Sequence, residues 1–304
     1  MRVLLTGASG LIGARLVAAL HARGDQPVRL VRRVAAAPDE IAWDPANGRL
    51  DPATLAGADA VVNLAGESLG ARRWTPARRL ALRESRLRAT RTLVRALAAA
   101  RPAPRVLVSA SGVGIYGDRG DEWLDERSSA GAGFLAAMAG EWERAAIEAE
   151  AAGTRVVRAR IGLVLAREGG ALGAQLPLFR AGLGGPLGSG RQWWSWISID
   201  DLVATLLHAM DRDDVSGVLN AVAPAPVRQA EFARALGRAL GRPAWLPAPA
   251  FALRLALGRG VADELLLSGQ RVRPGALLGS GFGFGDPELG AALARLLAGR
   301  AGPK

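Results

Sequence analysis

Residues 2–13 read Arg2-Val3-Leu4-Leu5-Thr6-Gly7-Ala8-Ser9-Gly10-Leu11-Ile12-Gly13, an apolar run ending in three glycines at three-residue spacing. A helical pattern then continues to Ala22 and stops at Gly24. The spacing predicts a strand, a tight turn and a helix. At such a junction Gly7 permits the turn, Gly10 lets a pyrophosphate approach the backbone, and Gly13 lets the helix pack on the strand. Ala8, Ser9, Leu11 and Ile12 complete the predicted cradle, with the helix N-terminus facing the phosphates.

Further strands are expected at Val28–Val31, Ala60–Leu64, Arg105–Ser109 and Arg155–Ala159, with long helices at 76–100 and 134–151 between them. Pro76 suits the first position of its helix. Strands alternating with helices predict an α/β fold, a Rossmann-type doubly wound parallel sheet. The pattern changes after Gly162. A glycine-rich loop, Gly182 to Gly190, is followed by short helical patterns near 199–210, 229–240, 250–257 and 287–297. We expect residues 1–165 to form the nucleotide-binding domain. Residues 166–304 are expected to form a smaller C-terminal substrate lobe, interleaved with the first and packed at the carboxyl edge of the sheet.

Composition excludes several classes. Among 304 residues there is no cysteine, so disulfide, thiolate-metal and Cys-nucleophile chemistry is absent. Two histidines, His21 and His208, are too few for a histidine metal centre. No apolar run approaches the roughly 18 residues that span a bilayer, and the N-terminus lacks the order of a signal peptide. The expectation is a cytoplasmic protein with no membrane partner. The formal charge of +11 comes from arginine, Lys304 being the single lysine. The arginines are spread along the chain without interleaved aromatics, which argues against a nucleic-acid partner; the densest run, Arg78 to Arg95, reads as a solvated or ligand-facing helix.

The end of the second strand carries Arg32-Arg33 and no acid until Asp39. A ribose 2′-hydroxyl calls for a carboxylate there, whereas a 2′-phosphate calls for a bidentate cation. NADP(H) is the expected cofactor. Asn63, Leu64, Ala65 and Gly66 should line it, and Arg86 and Arg160 should meet anionic groups of cofactor or substrate. Asp200-Asp201 is expected to cap the following helix.

Thr6-Gly7-x-x-Gly10-x-x-Gly13, Asn63-Leu64-Ala65-Gly66 and Ser109-Ala110-Ser111 with Ile115-Tyr116-Gly117 resemble extended short-chain dehydrogenase/reductases. Trp43-Asp44-Pro45, Gly66-Glu67-Ser68, Trp142-Glu143, Gln192-Trp193-x-Ser195-Trp196 and Leu267-Ser268-Gly269-Gln270 narrow the resemblance to their atypical, 39U-like epimerase subgroup, over essentially the whole chain. Ser198 departs from that pattern, which has a histidine there. The resemblance implies an NADP-binding Rossmann fold with an unassigned small-molecule substrate.

Short-chain dehydrogenases ordinarily move the substrate proton with a Tyr acidified by a Lys four residues on. This chain has one tyrosine, Tyr116, and one lysine, Lys304, so the pair cannot form. By register against Trp142-Glu143, its places fall near Phe134-Leu135 and Ala139. The substitutes expected from the sequence are Ser109, Ser111 and Tyr116 as catalytic groups. Glu67, Gln192, Trp193 and Trp196 are expected to contact substrate, and Glu67 or Glu141 to titrate near neutrality. Oxidoreductase or epimerase chemistry on a small polar substrate is the leading expectation, with a non-catalytic NADP(H) sensor or partner-binding protein as its alternative. The long helices are suited to pairing two subunits in a homodimer.

Overall fold

Alternation along β1 (Arg2–Thr6) sends Val3 and Leu5 to one face of a sheet and Leu4 to the other, and all three are fully buried. A strand covered on both faces reads as a continuous apolar run, as this one does. The computed structural model describes residues 1–298, so Lys304 lies outside the described residues. Next come β2 (Gln26–Val31), β3 (Glu40–Ala42), β4 (Ala60–Asn63) and β5 (Val106–Gly112). They are followed by β6 (Trp123–Leu124), β7 (Arg155–Ile161), β8 (Leu163–Ala166), β9 (Trp193–Trp194), β10 (Trp196–Ser198) and β11 (Gly217–Ala221). Seven of these form one parallel sheet in the order β11-β7-β5-β4-β1-β2-β3.

Helices cover both faces. Leu16 and Leu20 of α1 (Leu11–Ala22) and Leu202 and Leu206 of α5 (Ile199–Asp211) pack on Val3, Leu5 and Val108. Leu93 and Leu97 of α2 (Pro76–Ala99) and Ala146 of α3 (Phe134–Ile147) pack on Leu4, Val61 and Leu107. Helix α2 starts where Thr75 accepts the Arg78 N–H (3.1 Å) and Pro76 presets the first turn. The predicted helix to 151 ends as an α-helix at Ile147 and tightens into a 3₁₀ turn.

A further core joins Trp194, Trp196, Phe232 of α6 (Gln229–Leu240), and Leu172 and Leu176 of α4 (Gly170–Arg180). The interleaving of the two halves takes a definite form. Strand β11 and helix α5 lie beyond residue 166 yet build the sheet and its covering layer. Strands β3 and β11 and helix α4 were not apparent in the sequence. β3 is only three residues long, β11 opens with glycine, and α4 opens with glycine and carries Pro177 inside it. The cap of α5 is also corrected. Ser198 accepts the Asp201 N–H (3.1 Å), while the Asp201 carboxylate accepts the N–H groups of Gly285 (2.8 Å) and Asp286 (2.9 Å).

Register aligns Thr6 with Asn63, and Asn63 with Ser109, across β1, β4 and β5. The Asn63 carbonyl accepts from Thr6 Oγ (2.8 Å) and its amide donates to Thr90 Oγ (2.8 Å) and Ser109 Oγ (3.2 Å). Thr6 Oγ in turn accepts the N–H groups of Leu64 and Ala65, each at 3.1 Å. One fully buried amide therefore ties three strands to α2 and fixes the turn after β4. Asn63→Ala would strand these partners without water. We expect a loss of about 2–4 kcal/mol, lowering the thermal midpoint by roughly 3–6 °C; an unchanged melting curve would refute the role of this amide.

Candidate functional site

Because every strand of the sheet runs the same way, the carboxyl ends of β1, β4, β5 and β7 share one rim, where α/β folds bind ligands. At β1 the turn residue Gly7 has φ +69°, and a Cβ there would lie 2.6 Å from the Leu64 carbonyl oxygen. A Cβ on Gly13 would overlap the backbone of Gly7. Helix α1 has Gly10 as its N-cap, no side-chain cap and no acidic residue in its first turn. Its first N–H groups are thus left for an outside anion, a donor set that fits a pyrophosphate. The Leu64–Gly66 turn lies against Gly7. Asn63, expected to line the cofactor, instead turns its amide wholly inward.

At the end of β2 the two arginines differ. Arg33 is committed to Glu40 through Nη1–Oε2 (2.8 Å) and Nη2–Oε1 (2.6 Å), a bidentate pair hidden in the sequence by the turn between them. Arg33 and the Ala36 N–H hold the Glu40 carboxyl below its usual range. Arg32 is exposed and has no hydrogen-bond partner among the described residues. Both line an open cavity of about 370 Å³ together with Trp43 and Arg49, a second cation that the sequence reading did not single out.

Below the rim of β5 and β7 lies a buried polar chain. Ser111 Oγ donates to Glu143 Oε1 (2.7 Å), and Arg160 grips the same carboxylate through Nε (2.7 Å) and Nη2 (2.9 Å). Arg158 adds a second guanidinium at 3.6 Å. Arg160 Nη1 donates to the Tyr116 hydroxyl (2.9 Å), which lies within donating distance of Asn220 Oδ1 (2.8 Å) and the Asp125 carbonyl (2.9 Å). Burial opposes the charge on Arg160, but Glu143 outweighs it and holds the guanidinium above its usual pKa. Glu143 and Asn220 were not read as functional. Trp142-Glu143 enters the sequence only as a family motif and a register mark, and Asn220 sits on β11, which has no clear sequence signal.

The tyrosine corrects an expectation. Tyr116 has no exposed surface, and its hydroxyl is saturated by neighbours instead of opening into the cleft. Burial pushes its pKa above the usual value, against the pull of Arg160. Ser109 is likewise inside, accepting from Asn63. At the register of the absent pair stand Leu135 and Ala139. Leu135, like Leu69, Phe134 and Leu265, packs against the buried cluster of Trp74, Leu82, Met138 and Val261, and its N–H donates to Glu264 Oε2 (2.9 Å), a carboxylate from far along the chain.

Arg86 is 8% exposed and lies under Gly66, donating to the carbonyls of Leu82 (3.0 Å) and Glu67 (3.1 Å) and stacking on Trp142 (5.2 Å). Among the described residues no carboxylate pairs with it, and its Nε has no partner. Burial, helped by Arg78, lowers its pKa to about 10.

Other expected groups are committed elsewhere. Glu67 pairs with Arg78 and Glu141 with Arg83. Trp196 has no exposed surface, its indole donating to the Ala225 carbonyl, so it forms core rather than an aromatic wall. Gln192 donates to the carbonyls of Leu187 (3.1 Å) and Leu266 (2.7 Å). Trp193 is stacked by Arg228 (4.1 Å) and Arg271 (4.3 Å).

Residues 3–221 match the NAD dependent epimerase/dehydratase family, and residues 248–296 match a domain of unknown function, DUF1731. An epimerase family protein of Mycobacterium leprae is 46% identical over 291 residues, 96% of this chain and 94% of its own. The crystal structure of human epimerase family protein SDR39U1 (isoform 2) with NADPH is 39% identical, with a TM-score of 0.89 over 98% of this chain and 99% of that one. A nucleoside-diphosphate sugar epimerase structure from Corynebacterium glutamicum is 36% identical, with a TM-score of 0.81 over 98% of this chain and 58% of that one.

Since Tyr116 is the single tyrosine, its titration can be read directly by ultraviolet difference absorbance. A raised folded pKa means that the phenol's contribution to stability is present below its unfolded value of about 10 and is lost as pH rises through the folded value. Phenolate should therefore form at higher pH in the folded protein than in urea. Titration at the same pH in both would contradict its saturated burial.

Proposed function

The chain belongs to the NAD dependent epimerase/dehydratase family, as an atypical extended short-chain dehydrogenase/reductase, and from that premise we propose that it binds NADP(H) and performs oxidoreductase or epimerase chemistry on a small polar substrate of the sugar-derivative class. The observation carrying the cofactor choice is Arg32, exposed and unpaired among the described residues, at the end of the strand beside the glycine cradle. A guanidinium there matches a 2′-phosphate in charge and geometry. The NADPH in the human relative's structure supports the same choice.

When bound, the nicotinamide supplies or takes up a hydride. The chain's residues position what reacts with it. Gly7, Gly10 and Gly13 keep the backbone open to the pyrophosphate, and the α1 N-terminus offers its uncapped donors. Ser111 spends its hydroxyl proton on Glu143 and so presents lone pairs, which suit it to accept from a substrate hydroxyl. Glu143, gripped by Arg160 and faced by Arg158, holds that orientation. Arg86, buried without a carboxylate, suits an anionic group of the ligand. The sensor alternative draws on a separate observation, the apolar packing of Leu135 at the register of the missing acid.

Calorimetric titration with NADPH and NADH at one salt concentration tests the cofactor reading. Arg32→Ala should weaken NADPH binding by about 10- to 100-fold, the worth of a charge-assisted pair, and leave NADH within about threefold. Equal weakening of both cofactors would sink the 2′-phosphate argument. Ser111→Ala, measured by cofactor absorbance and by the appearance of epimeric product across sugar derivatives, separates an enzyme whose turnover falls from a sensor that shows none.

A further inference from the structure

Among the described residues, eleven large hydrophobic side chains stand exposed, and five of them fall within residues 245–257: Trp245, Leu246, Phe251, Leu255 and Leu257. Phe251, Leu255 and Leu257 belong to α7 (Ala250–Leu257), a helix with no buried residue. The exposure is built into the fold. Leu246 N–H donates to the Gly184 carbonyl (3.3 Å) and Ala248 N–H to Pro186 (2.8 Å), while Arg73 holds the far end of α7 by the carbonyls of Leu255 (2.6 Å) and Ala256 (3.0 Å).

Charge on this stretch is one-sided. Residues 234–262 contain five arginines and no acid. Arg234, Arg238 and Arg242 line an open groove of about 600 Å³ together with Trp245. None of the three pairs with an acid among the described residues, whereas Arg254 pairs with Asp263 (2.8 Å). Trp245 lines the groove with the unpaired guanidinium groups and is also one of the five exposed hydrophobic side chains of residues 245–257.

We propose that this face docks on an anionic lipid bilayer, with Trp245, Phe251 and Leu255 entering the interface and Arg234, Arg238 and Arg242 taking lipid phosphates. An apolar helix face beside a basic groove meets both requirements of interfacial binding, apolar burial and attraction to anionic headgroups. Tryptophan suits the headgroup level, and arginine pairs with phosphate bidentately. Helix α7, about 12 Å long, lies on a bilayer and does not span it. A second copy is a poorer occupant, because a two-fold contact would set arginines against arginines.

The test is co-sedimentation of the full-length protein with phosphatidylglycerol vesicles and with phosphatidylcholine vesicles, at two salt concentrations. Binding should require phosphatidylglycerol and fall with salt. Arg234→Gln/Arg238→Gln/Arg242→Gln should weaken it on the order of a hundredfold, at about fivefold per arginine, and Phe251→Ser/Leu255→Ser should weaken it at least tenfold. A control with the same charge change on the opposite side of the sequence, Arg91→Gln/Arg95→Gln/Arg101→Gln, should bind nearly as the parent does. All three variants alter exposed positions, and an unchanged thermal midpoint confirms their folding. The proposal fails if phosphatidylglycerol vesicles do not bind. It fails equally if the control weakens binding as much as the groove variant does, if Phe251→Ser/Leu255→Ser binds unchanged, or if the face proves to be buried in a dimer that Phe251→Ser/Leu255→Ser dissolves.

Discussion

The buried amide of Asn63 is the constraint on which the rim depends. A parallel sheet supplies strand ends but does not hold the loops leaving them. Here Asn63 engages Thr6 on one side and Thr90 and Ser109 on the other, and Thr6 then engages the backbone of Leu64 and Ala65. The turn after β4 is thereby pressed against Gly7 so closely that no side chain fits between. Trp142 of α3 joins the same knot through Thr90 (2.8 Å), so both helices on that face are registered to the glycine turn.

A second buried assembly, Ser111–Glu143–Arg160–Tyr116–Asn220, lies under the cleft. Desolvating a carboxylate and a guanidinium is costly, and such a pair adds little net stability over apolar packing. What it supplies is orientation. Each hydrogen-bonding atom is matched, so Ser111 holds a single arrangement of its proton. Elsewhere, Glu264 accepts the Leu135 N–H and so ties the start of α3 to a residue more than a hundred positions along the chain.

The cleft and the α7 face use arginine in opposite ways. Arg160 and Arg33 are bonded to carboxylates and serve to hold other groups. Among the described residues Arg234, Arg238 and Arg242 pair with no acid, and they share their groove with the exposed Trp245. The formal charge of +11 is therefore unevenly available, since many arginines are neutralised by partners and a few face outward as a group.

By itself the sequence determined the fold class, the glycine turn with its strand and helix, and the family resemblance. Each rests on local order, namely apolar alternation, a cap or a three-residue spacing, which neighbouring residues write directly. It also determined that no Tyr-Lys pair exists, since counting one tyrosine and one lysine suffices. Only the tertiary structure decided which polar groups are spent on one another. Arg33 and Arg32 are adjacent and chemically identical, yet one is clamped by Glu40 and the other is open. Tyr116 and Trp196 looked like cleft residues, and both are sealed in the core by elements far along the chain. Burial and hydrogen-bond saturation depend on contacts between distant segments, and spacing along a single chain does not encode them.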